Sequence, residues 1–383
     1  MWRVEGLLSA AAMSRLVGTS ESAVKDEIRD DVRRLLQAST LSRREGQAPR
    51  TQESIAEEVL GLETMRICAR LKAEARERCK LVQAEYRALV NAYCSPRPLA
   101  WPAVERPRLE CAFVEFRSLP HVRALVANAI LRLRCDVCLV CGAMNVDFAE
   151  ALCATIDYPI RVVKLDEANV DRERYNALLA SEAFWRRLRG DYVLIHQEDA
   201  LVFDASRVDA ILAACDASEV RYLGAPWGGP QVLDCVVGNG GFSLRHRETM
   251  VAITRRRAIA DFPRGVFPFQ DPDEQKPRRL LPSFRTSQDP TFFFRRLHPE
   301  DIYFAYWIRK THDCSCSREE LLRLAVLFST ESVYDGGDAA LGGHQFWLGD
   351  ADGWRTRAHR ALSETLGPAH TARPQRRPFA VAS

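Results

Sequence analysis

From about residue 109 onward, short apolar runs alternate along the chain with amphipathic stretches of helical period. This alternation predicts an α/β domain in which a mixed, mostly parallel sheet is flanked by helices. In such sheets, ligands bind at the carboxyl ends of the strands. The predicted strands are 111–116, 137–141, 160–165 and 192–196, and the predicted helices are 122–133 and 172–188.

The sequence is predicted to have three parts. Residues 1–105 contain charged helical stretches and a proline-rich linker, so we expect an α-helical arm that packs on the main domain or on a partner protein. Residues 106–350 form the α/β domain, in which the six prolines of 261–297 indicate a long irregular loop. Residues 351–383 form a C-terminal helix and a frayed basic tail.

Composition excludes some classes of protein. The net charge is only +3, and arginines are not interleaved with aromatic residues, so we expect no nucleic-acid partner. No apolar run reaches 18 residues, so we expect no transmembrane segment. Glu5, Arg3 and Arg15 make the first 18 residues a poor secretory signal. These features predict a cytoplasmic protein and leave organelle targeting by the N-terminus open.

Three of the twelve cysteines, Cys135, Cys138 and Cys141, have the spacing of metal ligands. They fall within a predicted strand, however, and a strand points residues three apart to opposite faces. We therefore interpret them as small core residues in a reducing compartment.

An acidic segment, Gln197-Glu198-Asp199, follows the predicted strand 192–196. A carboxylate at this position is placed to hold Mg²⁺ or Mn²⁺ on a diphosphate, with Asp199 as the first candidate and Glu198 as the second. His344 is a further candidate, because Mn²⁺ accepts an imidazole ligand. An acidic turn and a structural histidine are the alternatives.

A glycine-rich segment, residues 238–245, contains the candidate sugar-binding residues Asn239, Gly240 and Gly241. Glycines allow a ligand to approach the backbone closely, and an asparagine amide can hydrogen-bond sugar hydroxyls. Trp227 is a candidate platform for a sugar ring. A tight turn without a ligand and a buried tryptophan are the alternatives.

Other candidates lie near predicted strand and helix ends. We expect Arg117, Asn145 and Gln197 to contribute to donor binding. Glu300 and Asp301 begin a helix after Pro299, and one of them is a candidate general base. Adjacent helical residues diverge by about 100°, so only one of the two faces a substrate. The helix dipole favours acidic residues at this position whatever their function.

Six short motifs together resemble a domain-of-unknown-function family that is itself similar to GT-A glycosyltransferases. The resemblance covers about residues 110–348. The motifs are SEAFW (181–185), YVLIHQED (192–199), YLGAPW (222–227), VGNGGFSLR (237–245), PEDIYF (299–304), and FSTE (328–331) with Gly343-His344.

The resemblance implies a GT-A-like, Rossmann-like fold with a nucleotide-sugar site at the switch point of the sheet. It places Asp199 at the metal position, His344 at a late metal or phosphate position, and the 300–301 pair on the acceptor side. Gln197 departs from the pattern, because many GT-A enzymes have an aspartate there.

The sequence therefore predicts a hexosyltransferase-like enzyme that moves a sugar from a UDP- or GDP-linked donor to a hydroxyl of a glycan, protein or small molecule. Assistance by Mn²⁺ or Mg²⁺ is expected, and a general base implies inversion at the anomeric carbon. The alternative is a catalytically silent GT-A-like carbohydrate-binding or scaffold protein whose N-terminal helices recruit a partner.

Overall fold

The computed structural model describes residues 79–94, 98–226, 238–259, 300–312, 314–330, 339–348 and 353–369. The predicted loop 261–297, Trp227 and the basic tail therefore lie outside the described residues.

The described helices are α1 (residues 79–91), α2 (Val122–Leu133), α3 (Val146–Ala154), α4 (Arg172–Leu179), α5 (Glu182–Trp185), α6 (Val208–Ala217), α7 (Arg247–Arg256), α8 (Glu300–Thr311), α9 (Arg318–Phe328) and α10 (Trp354–Leu366). The described strands are β1 (Arg106–Val114), β2 (Cys135–Cys141), β3 (Ile160–Lys164), β4 (Tyr192–His196), β5 (Ala200–Val202), β6 (Tyr222–Leu223), β7 (Phe242–His246), β8 (Ser329–Thr330) and β9 (Gly342–His344).

A six-stranded sheet with the order β3-β2-β1-β4-β7-β6 forms the centre of the fold. Strands β1 to β4 pair in parallel, whereas β7 pairs antiparallel with both β4 and β6. This arrangement confirms the predicted mixed, mostly parallel sheet. The chain builds outward from β1 through β2 to β3 and then returns to β4 on the other side of β1. The strand order thus reverses between β1 and β4, which is where open α/β sheets bind ligands.

Helices cover both faces of the sheet, and β4 shows why its sequence suits a central strand. All five of its residues are buried. Tyr192 and Leu194 join the core on the face of α2 and α10, whereas Val193 and Ile195 join the core on the face of α5 and α8. Successive strand residues point to opposite faces, so a strand covered on both sides is apolar throughout.

A small second sheet, with the order β5-β9-β8, lies beyond the end of β4. In its antiparallel pair, Ala200 is opposite His344 and Leu201 is opposite Gly343. Strands of two or three residues are too short to show an alternating pattern, so this sheet was not predicted. Because Ala200 directly follows Asp199, this pairing brings His344 next to Asp199.

Helix α1 packs on the α/β core. Tyr86 and Val90 are fully buried, and the Tyr86 ring lies 5.0 Å from that of Trp347. The described part of the predicted N-terminal arm is therefore packed on the main domain. The boundaries predicted after residues 105 and 350 stay predictions.

The cysteines of β2 are buried thiols, as predicted. Burial raises the pKa of Cys135 to about 12, so this thiol is protonated at neutral pH. Within the described ranges, no helix combines the length and apolar character that crossing a membrane requires.

A buried ion pair ties the sheet to α8. Arg245 of β7 is inaccessible to solvent, and its Nη2 donates to Oε1 of Glu300 at 2.9 Å. The guanidinium also lies 4.8 Å from the centroid of the Tyr222 ring. Because a buried charge is costly without its partner, this pair fixes where α8 begins relative to β7.

Glu300→Ala should lower the free energy of unfolding by about 3–5 kcal/mol, because it leaves the Arg245 charge buried without its partner. Urea denaturation measures this loss. Asp209→Asn is the matched control: Asp209 is 67% exposed in its pair with Arg106, and its loss should cost less than about 1 kcal/mol. A Glu300→Ala cost as small as that of the control would contradict a stabilising role for the buried pair.

Candidate functional site

Three segments meet at the switch point between β1 and β4. Glu115 and Arg117 follow β1, and residues 197–199 follow β4. Because β7 is antiparallel to β4, the turn 238–241 that precedes β7 lies at the same edge. The Gln197 N–H donates to the Gly241 carbonyl at 2.9 Å. The structure thus brings the predicted acidic segment and the predicted glycine turn into contact.

Asp199 lies beside His344, with 3.3 Å between its Oδ1 and the imidazole Nε2. Its Oδ2 accepts hydrogen bonds from Gln345 at 2.8 Å and from Gln83 at 3.3 Å. Burial alone would raise the pKa of this carboxyl, but the neighbouring His344 and the amide of Gln345 lower it to about 2. Asp199 is therefore a carboxylate at any physiological pH.

Glu198 points into a cluster of basic side chains. Its Oε2 lies 3.0 Å from Nε of Arg87 and 3.0 Å from Nε2 of His121, and its Oε1 lies 3.5 Å from Nη2 of Arg117. Although burial opposes ionisation, the bonds from His121 and Arg87 lower the pKa of Glu198. This carboxylate holds arginines in place, and it shares one donor with Asp199, the Nε2 of Gln83.

Two side chains of this site, Asp199 and His344, have the chemistry of metal ligands. Across the described part of the chain, no three His, Cys, Asp or Glu side chains converge as they do around a bound metal. Hard divalent cations can bind through one or two protein ligands and complete their coordination with water and substrate phosphates. Asp199 and His344 offer such a pair, since carboxylate and imidazole both suit Mn²⁺. Glu198 instead pairs with the basic side chains of Arg87, Arg117 and His121.

The glycine turn is wedged between the two acidic sites. A Cβ at Gly241 would lie 2.3 Å from Cδ2 of His344, and a Cβ at Gly240 would lie 2.5 Å from Oε1 of Glu300. Both distances are far below van der Waals contact, so only glycine allows this close approach. The Asn239 side chain accepts a hydrogen bond from the Gly241 N–H at 2.8 Å and stabilises the turn.

Asp301 has the properties of a group that exchanges protons near neutral pH. Its Oδ2 accepts a hydrogen bond from the Gly240 N–H at 3.3 Å. Burial of the carboxyl and the adjacent charge of Glu300 raise the pKa of Asp301 to about 7. Glu300 forms the ion pair with Arg245, so the two adjacent carboxyl groups differ in their contacts.

The other predicted donor-site residues differ in what they contact. Arg117 is half exposed at the switch point, where its Nε donates to Glu115 at 2.7 Å. The Asn145 side chain binds backbone: its Oδ1 accepts from Gly142 and its Nδ2 donates to the Glu115 carbonyl, both at 2.9 Å. Gln197 donates to the Tyr175 hydroxyl at 3.1 Å. The last two residues thus support the loops of the site.

The sequence did not predict that Gln83, Arg87 and His121 belong to this site. All three contact Glu198, from which they are separated by 115, 111 and 77 residues along the chain. Gln83 and Arg87 belong to a helix of mixed charge, and His121 precedes α2. The sequence around these residues is typical of a solvent-exposed helix. Only the packing of α1 and α2 on the sheet shows that the three side chains lie at this site.

Comparison with solved structures gives partial likenesses at low TM-scores. TarS of S. aureus is 10% identical with a TM-score of 0.28, and the match covers 37% of this chain and 48% of TarS residues 1–349. The mannosyltransferase PcManGT of Pyrobaculum calidifontis, solved with GDP-Man and Mn²⁺, is 15% identical with a TM-score of 0.30 and coverage of 47% and 56%. The glycosyltransferase GlyE of Streptococcus pneumoniae is 11% identical with a TM-score of 0.34 and coverage of 70% and 66%.

This chain thus spans about half the length of the first two of these proteins. Identities and TM-scores this low do not transfer an activity. No curated protein sequence matches the chain. A family model does match, over the part that contains the acidic segment, the glycine turn, the 300–301 pair and His344. The model of the family described as "Protein of unknown function (DUF5672)" matches residues 159–344.

Proposed function

We propose that this protein is a glycosyltransferase that moves a sugar from a nucleoside-diphosphate donor to a hydroxyl acceptor. The observation that carries the proposal is the position of the glycine turn 238–241. One side of the turn contacts His344, the partner of Asp199, and the other side contacts Glu300 and Asp301. An ionised carboxylate and a carboxyl that titrates near pH 7 thus flank one turn at the switch point of the sheet.

The donor side of the site comprises Asp199, His344 and Arg117. Asp199 and His344 are the residues that would hold a Mn²⁺ or Mg²⁺ ion, which would neutralise charge on the leaving diphosphate. Arg117 contributes a half-exposed guanidinium, whose planar fork matches phosphate oxygens. The backbone of the glycine turn lets the donor sugar approach closely. The proposed donors are UDP- and GDP-linked sugars.

On the acceptor side, Asp301 acts as the general base. It takes the proton from the acceptor hydroxyl, whose oxygen forms a new bond to the anomeric carbon. The bond from that carbon to the donor diphosphate breaks, and the nucleoside diphosphate leaves with the bonding electrons. Attack from the side opposite the leaving group inverts the anomeric centre. A base with a pKa of about 7 is well matched to this step at physiological pH.

One observation supports a second candidate, a catalytically silent carbohydrate-binding protein. Asp199 is only 5% exposed, and its Oδ2 already accepts hydrogen bonds from Gln345 and Gln83. If Asp199 never becomes accessible to a donor, the protein has the fold but no transferase activity. The two candidates differ in whether the protein binds nucleotides.

The first test is a thermal-shift titration of the full chain with UDP, GDP and their sugars, in Mn²⁺ and in EDTA. A ligand at 100 times its Kd should raise the free energy of unfolding by about 2.7 kcal/mol and Tm by a few degrees. We expect one nucleotide class to raise Tm, and Asp199→Asn to abolish the Mn²⁺-dependent part of the rise. Asp209→Asn, a change in an exposed ion pair, should leave it intact. No shift with any nucleotide would favour the silent binding protein.

The second test concerns Asp301. Release of nucleoside diphosphate from the donor that shifts Tm should fall by about 10²- to 10⁴-fold in Asp301→Asn, because the amide cannot accept the proton. The base must be deprotonated, so kcat/KM of the wild type should rise with pH and level off above about 7. Asp209→Asn should keep both the rate and the profile. Wild-type turnover in Asp301→Asn would refute the assignment of the base.

A further inference from the structure

Helix α1 supplies side chains to the site from outside the matched domain of residues 159–344. It is firmly held, because Tyr86 is fully buried and its hydroxyl donates to the Ala200 carbonyl at 2.7 Å. Ala200 directly follows Asp199. The next residue along the helix, Arg87, reaches Glu198, and Gln83, one turn before Tyr86, reaches both acidic residues. Helix α1 is therefore a fixed wall of the site.

The Arg87 guanidinium is positioned by Glu198 and still has donors to offer. Glu198 accepts from both Nε and Nη2 of Arg87, whose side chain keeps 32% of its surface exposed. Arg117 contacts the same carboxylate and is 50% exposed. Within the described residues, the hydrogen bonds of both arginines use Nε and Nη2 and none uses Nη1. Two oriented guanidinium edges therefore border the switch point.

We propose that Arg87 and Arg117 together bind the diphosphate of the donor, and that Glu198 is the positioning residue that holds both guanidinium groups for it. The proposal rests on the function proposed above and identifies the diphosphate subsite. In this arrangement Glu198 orients the guanidinium groups toward the phosphates, just as the glutamate of the Lys–Glu ion pair orients the lysine in protein kinases.

The local charge balance defines how this subsite works. The charges of Arg87 and Arg117 are matched by those of Glu115 and Glu198, with which they form ion pairs. The phosphates are therefore recognised through directed N–H donors and the bidentate geometry of guanidinium groups, without an excess of positive charge. Such contacts do not depend on a metal ion, so the contribution of Arg87 should be measurable in EDTA as well as in Mn²⁺.

Isothermal titration of the full chain with UDP, GDP, UMP and GMP tests this subsite. A hydrogen bond to a charged group is worth about 10- to 100-fold in affinity. We expect Arg87→Met to weaken binding of the preferred diphosphate by this factor in both EDTA and Mn²⁺, while the affinity for the monophosphate changes little. Arg108→Met removes an exposed arginine at the opposite end of β1 and should bind both nucleotides like the wild type.

Arg87→Met leaves Glu198 buried with fewer partners, so a double variant protects the test against loss of folding. Arg87→Met/Glu198→Gln removes the guanidinium and the carboxylate charge together, which avoids an unpaired buried ion. It should fold and bind the diphosphate about 10- to 100-fold more weakly than the wild type, with the affinity for the monophosphate little changed. If the double variant keeps the wild-type preference, the Arg87 subsite is refuted while the transferase proposal stands. If the wild type binds no nucleotide, both proposals fall.

Discussion

The antiparallel pairing of β7 with β4 is the constraint on which the site depends. In this register Phe242 lies opposite His196, so the turn that precedes β7 meets the segment that follows β4. A parallel β7 would have carried the same turn to the other edge of the sheet. The small sheet adds the third component, since the pairing of β5 with β9 places His344 opposite Ala200. The backbone of Gln197 thereby contacts that of Gly241, 44 residues further along the chain, and Asp199 contacts His344, 145 residues further along.

The buried Arg245–Glu300 pair connects this edge to α8, and the connection has an electrostatic consequence. Arg245 forms a buried ion pair with Glu300. Burial raises the pKa of Asp301, the next residue, and the adjacent charge of Glu300 raises it further. A pair of adjacent carboxyl groups is thus divided into a structural member and a member that titrates near neutrality. Environment separates the roles of otherwise similar groups.

Helix α1 extends the candidate site beyond the segment that the family model matches. The matched segment contains the acidic residues, but Gln83, Arg87, Arg117 and His121 all precede it. Arg87, Arg117 and His121 contact Glu198, and Gln83 donates to both Glu198 and Asp199. The acidic segment alone would bury two adjacent carboxylates, which is unfavourable without compensating donors. The N-terminal elements and the family domain therefore form one electrostatic unit.

The sequence by itself determined the α/β class and the presence of strands β1 to β4, because apolar periodicity and strand length are local properties. It also located both ends of α2 to within a residue. It also identified the acidic segment, the glycine turn and the 300–301 pair as candidates. It could not decide which acidic residue has which role. Glu198 and Asp199 are adjacent and chemically alike, yet one holds arginines and the other lies against His344. Only the tertiary structure decided this, because each role depends on partners distant in sequence that the packing of α1, α2 and β9 brings to the carboxylates.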